Sequence, residues 1–146
     1  MPKIVIVDSD FENSDFEKKM AQDAGVELAV FNEREPADVI RNAKDADGAI
    51  TSYGRFPREV FEALPNLKVV SRTGVGYDSI DVEAATENGT AVCIVPGYGT
   101  EVVSDHAITL ALSVLRRVNE VDADMRAGIW DYTRHRPFGQ VYGRTF

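Results

Sequence analysis

Five short apolar runs, KIVIV, VELAVF, GAIT, NLKVVS and TAVCIV, recur within the first 95 residues, and stretches with helical spacing separate them. This alternation constrains the fold more than any other feature of the chain. A strand exposed on one face alternates apolar and polar residues, whereas these runs are almost continuously apolar. That pattern belongs to parallel strands covered on both faces. The intervening stretches read as helices. FENSDFEKKMAQDAG spaces Phe16, Met20 and Ala24 along one face and stops at Gly25. EPADVIRNAKDA carries Pro36 in its first turn. REVFEAL and VEAATENG are short helices, the second ended by Gly89.

The pattern changes at PGYGTEVVSDHAITLALSVLRRVNE, where a Pro/Gly-rich turn leads into one long helix. Thr100 and Ser104 are the cap candidates, and Arg116 and Arg117 sit where the helix dipole favours cations. Val103, Ala107, Leu110, Ala111, Val114 and Leu115 form a broad apolar face that needs a partner domain or subunit. A second helix, VDADMRAGIWD, and a polar loop follow. The expected architecture is α/β: a flavodoxin-like parallel sheet of about five strands, helices on both faces, and a long C-terminal helical arm. The expected division is 1–99 for the sheet domain and 100–146 for the linking helices.

The 146 residues carry 16 Lys and Arg against 24 Asp and Glu, a formal net charge of -8. That balance argues against nucleic acid or an anionic membrane as partner, since both need a basic footprint. Cys93 is the single cysteine, so no disulfide forms within the chain, and a reducing, cytoplasmic setting is expected. Its place inside AVCIVP makes it a small buried hydrophobe. No apolar stretch approaches the ~20 residues of a membrane span, and no metal-ligand set is expected.

The chemistry is concentrated in SRTGVGYDSID, Ser71 to Asp81. GVGYDS matches two of the three glycines of a dinucleotide fingerprint, with Ser79 in third place, but the helix that follows is short. IVIVDSD resembles the acidic pocket of receiver domains, yet the third run ends in Thr51 and Ser52 where such a domain needs an aspartate; Asp8 and Asp10 read as strand-end or capping acids. A third reading has the amides of Gly74, Val75 and Gly76 form a concave anion site, with Gly76 leaving room for a small substrate. From the tripeptide alone, that site and a plain tight turn both stay open.

In order, RTGVGYDSID, AVCIVP, VVSDHAITLAL and MRAGIWD resemble the D-isomer-specific 2-hydroxyacid dehydrogenase family over the whole chain. VCIVPGYGTEVV is most similar to the branch that contains the C-terminal-binding-protein corepressors. The resemblance implies hydride transfer between NAD (NADP left open) and a small 2-hydroxyacid or 2-oxoacid. It implies that Val75 and Gly76 offer amides to the substrate carboxylate, beside Gly74 of the same turn, and that Tyr53 and Gly54, after Ser52, border the pocket. It places Val75, Val103 and Ser104 at the cofactor, and a homodimer through Thr100 to Arg117. His106 is expected to be structural, His135 a loop residue, and Arg72 either a ligand contact or a surface ion pair. The family's phosphate-binding fingerprint and its catalytic arginine, glutamate and histidine follow residues like YGRTF, so this chain holds no catalytic residue and is expected to be an inactive N-terminal part that lacks the main cofactor site. The alternative function is an NAD-gated, corepressor-like binding module.

Overall fold

Each apolar run is a strand: β1 (Lys3–Ile6), β2 (Glu27–Val30), β3 (Gly48–Thr51), β4 (Val69–Arg72) and β5 (Ala91–Cys93). Between them lie α1 (Asp15–Ala24), α2 (Pro36–Asn42), α3 (Arg58–Ala63) and α4 (Val82–Glu87). The structure, a computed structural model, describes residues 1–145. These fall into two compact units, Met1–Pro96 and the residues from Gly97 onward. All strand pairs are parallel, in the order β2-β1-β3-β4-β5. Local signals end the helices as the sequence indicates. Gly25 takes φ 66° and returns its amide to Ala21 and Gln22, while Gly89 takes φ +74°. A side chain in that region would be strained.

One row of side chains runs across the sheet through the register Val5, Ala49, Val70 and Val92. It faces α2, α3 and α4, whose Val39, Val60, Phe61 and Ala85 complete the core with Phe56. The adjacent row, Ile6, Ile50, Ser71 and Cys93, points to the opposite face. Right-handed crossovers dictate this asymmetry. The step from β1 to β2 runs opposite to all later steps, so α1 alone lands on that second face.

One expectation fails for this reason. Cys93 is exposed, because β5 is an edge strand and Cys93 lies on the thinly covered face while Val92 turns inward. The Phe16–Met20 stripe of α1 is not buried either; these residues are 72% and 57% exposed.

The second unit contains α5 (Thr100–Leu115) and α6 (Val118–Arg126), the latter starting three residues before the expected helix. Arg117, with φ 53°, makes the turn between them. Neither cap candidate acts as a cap. Gly99 holds the N-cap position, Thr100 is the first helical residue, and the Ser104 hydroxyl donates to the carbonyl of Glu101 at 2.8 Å. Among the described residues, no helix is long and apolar enough to cross a membrane.

Phe61 is 1% exposed and packs on Phe56 with ring centroids 6.1 Å apart. Phe61→Ala is expected to lower stability by about 3–5 kcal/mol, read by denaturant unfolding, because transfer and cavity terms add.

Candidate functional site

The C-terminal ends of β1, β3 and β4 meet at one edge of the sheet, with the reversal of strand order between β1 and β3. Open parallel sheets receive ligands at such an edge. Here the protein places its own carboxylate at the switch point. Asp8, just beyond β1, is fully buried. Its Oδ1 accepts from the Thr51 hydroxyl at 2.6 Å and from the amides of Ser52 and Gly54 at 3.0 and 3.1 Å. Its Oδ2 accepts from the Tyr53 amide and from Arg34 Nε, both at 3.0 Å. The Gly54 amide also donates to Thr51 Oγ1 at 2.8 Å. Burial pushes the Asp8 carboxyl up, but the Thr51 hydroxyl and the amides of Tyr53, Ser52 and Gly54 outweigh it and hold the group below its usual range.

The loop closed over Asp8 is bonded in turn to the end of β4. Ser52 Oγ and Thr73 Oγ1 share a hydrogen bond of 2.8 Å, the Thr73 amide donates to the Thr51 carbonyl at 2.9 Å, and Arg72 Nε donates to the Ser52 carbonyl at 3.1 Å. Tyr53 projects outward, 49% exposed, with the guanidinium carbons of Arg34 and Arg72 4.8 and 5.7 Å from its ring centroid. The nearby Asp10 carboxylate raises the Tyr53 phenol above its ordinary value. In a chain of net charge -8, this edge gathers two cations around an aromatic platform.

Beyond Thr73 the chain presents Gly74, Val75 and Gly76. Among the described residues, no acceptor takes any of their three amides. Gly74 is buried, so its amide is a donor in need of a partner. The Gly74 carbonyl accepts from the Val95 amide at 3.0 Å, which ties the loop to the end of β5. Neither Gly74 nor Gly76 has a left-handed φ, so their value lies in space rather than in backbone angle. A Cβ on Gly74 would land on the guanidinium of Arg72, whereas one on Gly76 would meet only the Asp78 carboxylate, at 3.8 Å. Arg72 is thus folded over Gly74 and makes no surface ion pair among the described residues. Val75 is 47% exposed.

The sequence-derived candidates therefore divide. Tyr53, Gly54, Gly74, Val75 and Gly76 come together at one edge. Gly54, however, spends its amide on Asp8 and Thr51, and its Cβ position lies 2.6 Å from Thr51 Oγ1, so it closes the loop. Val103 and Ser104 lie on α5 in the second unit, both exposed, as is His106. His135 sits in the loop after α6, 2.7 Å from Asp124. Asp8 and Arg34 were the residues that sequence reasoning did not place in the site. The available signal was an acid at the end of a buried strand, paired with a hydroxyl, Thr51, at the end of another.

Two glycine substitutions should separate tight packing from open space. Gly54→Ala is expected to cost about 1–3 kcal/mol in denaturant unfolding, because the neighbouring Thr51, Val7 and Asp8 side chains must yield. Gly76→Val is expected to stay within about 0.5 kcal/mol of the parent, as an exposed change with no close neighbour.

The sequence and fold match known proteins. Residues 4–141 match the family model for the D-isomer specific 2-hydroxyacid dehydrogenase catalytic domain. A glyoxylate reductase of Korarchaeum cryptofilum is 37% identical over 126 residues, covering 82% of this chain and 38% of the relative. A D-3-phosphoglycerate dehydrogenase of Methanocaldococcus jannaschii is 34% identical over 147 residues, covering 99% of this chain and 27% of the relative. Among solved structures, an NAD-dependent formate dehydrogenase from Staphylococcus aureus in complex with NAD superposes with a TM-score of 0.73 at 25% identity, covering 92% of this chain and 44% of that one. The chain thus spans less than half the length of each of these relatives. From its matched residues and its fold, this chain belongs to the D-isomer-specific 2-hydroxyacid dehydrogenase family.

Proposed function

We propose that the chain is the substrate-binding part of an NAD-dependent D-2-hydroxyacid dehydrogenase, in which the amides of Gly74, Val75 and Gly76 receive the carboxylate of a small 2-hydroxyacid or 2-oxoacid. The observation that carries this reading is that row of unpartnered amides, beside Arg72 and Tyr53, at the ligand-receiving edge of a parallel sheet. Successive N–H groups are suited to a planar carboxylate. Open space above Gly76 admits the ligand, and Tyr53 walls the pocket with its exposed ring.

Val75 offers an apolar contact that suits the nicotinamide end of a dinucleotide; Val103 and Ser104 are proposed cofactor contacts in the second unit. The Gly74–Gly76 loop does not suit the pyrophosphate: Ser79 replaces the third glycine, α4 has six residues, and Asp78 puts a negative charge beside Gly76. The cofactor, NAD or NADP, supplies the hydride exchange when the whole protein binds it. The residues present bind and orient the substrate. Family members' catalytic arginine, glutamate and histidine have no counterpart assigned in this chain, which fits a division into a substrate-binding part, 1–99, and linking helices, 100–146. The corepressor-like alternative rests on the stretch Val92–Val103 alone, and the presence or absence of that downstream histidine discriminates it.

The isolated chain is expected to give no turnover above a buffer blank with NADH and a panel of 2-oxoacids. It is nevertheless expected to bind oxamate, an inert 2-oxoacid isostere, with amide NMR shifts centred on Gly74, Val75 and Gly76 that Gly76→Val abolishes. Shifts confined to other residues would overturn the assignment of the site.

The exposed residues Leu110 and Val114 on α5 support a homodimer through Thr100 to Arg117, the closed symmetry most common among soluble oligomers. Leu110→Glu is expected to weaken self-association at least tenfold in sedimentation, about 1.4 kcal/mol. A wild-type chain that stays monomeric at tens of micromolar would remove this contact.

A further inference from the structure

Asp8 has no route to a substrate: it is fully buried, and its carboxylate oxygens are enclosed by the Thr51 hydroxyl, three loop amides and Arg34. The bonds to Thr51, Ser52 and Tyr53 each hold a residue that belongs to the candidate carboxylate site or bonds on to it. The Ser52 amide is held by Asp8, while the Ser52 hydroxyl meets Thr73 and the Ser52 carbonyl receives Arg72. Thr51 is held by Asp8 through its hydroxyl, while its carbonyl receives the Thr73 amide. Thr73 and Arg72 are the residues that lead directly into Gly74, and the Arg72 guanidinium lies over that glycine. The Tyr53 amide is held at 3.0 Å while its ring stands in the open between two guanidinium groups. A continuous set of hydrogen bonds therefore runs from one buried carboxylate to the Thr51–Gly54 loop and on to the residues that lead into Gly74.

We infer that Asp8 is a positioning residue for the 2-oxoacid site, setting through the Thr51–Gly54 loop both the stance of Tyr53 and the placement of the Gly74–Gly76 amides. The inference rests on the carboxylate reading of that row of amides. The loop spends its own amides inward, so it offers the ligand only Tyr53 and the residues it braces. Asparagine at position 8 keeps the shape but loses the charge and replaces one acceptor oxygen with a donor group. The Tyr53 amide and Arg34 then face an NH2 group or an uncharged oxygen. Loop and pocket are expected to loosen together, although residue 8 touches no ligand.

The test uses the 146-residue chain, oxamate as probe, and amide NMR well below the thermal midpoint of each variant. Asp8→Asn is expected to accelerate hydrogen exchange at Ser52, Tyr53 and Gly54 at least tenfold and to weaken oxamate binding at least tenfold. Should Asp8→Asn fail to fold, Thr51→Val carries the test, since it removes the hydroxyl at the centre of the ring and is expected to weaken binding in the same direction. Wild-type binding at Gly74–Gly76 with unchanged affinity in the variant that folds would overturn the positioning role and leave the site standing. No wild-type shift at those amides would overturn the site. In that case, unchanged exchange at Ser52–Gly54 overturns Asp8 as the anchor of the loop, and faster exchange upholds it.

Discussion

A buried carboxylate surrounded by backbone amides organises the edge of the sheet that carries the candidate site. Burying the Asp8 charge is costly on its own, and only a dense set of donors offsets the lost hydration. The protein supplies them from one loop, Thr51 to Gly54, with Arg34 at the rim. Charge-assisted bonds of this kind are worth about twice neutral ones, and they fix geometry as well as energy. The loop at the end of β3 consequently has little freedom, and the β4 loop inherits its position through Ser52 and Thr73.

The fold explains why the acid sits there. In a sheet ordered β2-β1-β3-β4-β5, β1 and β3 are neighbours whose outgoing connections run to opposite faces. Their C-terminal ends part and leave a crevice. Asp8 and its ring of amides close that crevice from within, and the amides without partners lie one strand further out, after β4. The candidate site is thus displaced from the place that topology alone would favour.

The strands, the helices and their order were legible in the sequence because each depends on short-range periodicity and on local stop signals such as Gly25 and Gly89. Burial was less legible, because it depends on which strand ends at an edge and which face a helix covers. Cys93 and Phe16 look like core residues in one dimension and are exposed in three. The glycines of GVGYDS announced a close approach, yet they did not reveal that the approaching group at Gly74 belongs to Arg72, two residues earlier. The Asp8 ring joins residues 43 to 46 positions apart. No local pattern encodes a contact of that range; only the parallel pairing of β1 with β3 brings it about.

The packing of Arg72 over Gly74 also bears on how this edge can vary. The guanidinium fills the volume that any side chain at position 74 would need, so the two positions share one space. An alanine at 74 would push the arginine off the Ser52 carbonyl long before it disturbed the backbone. Within a lineage that keeps the arginine, the glycine is held in place by its neighbour's side chain rather than by its own torsion angles. Substitutions at 72 and 74 are therefore expected to occur in concert, with a shorter residue at 72 preceding any Cβ at 74.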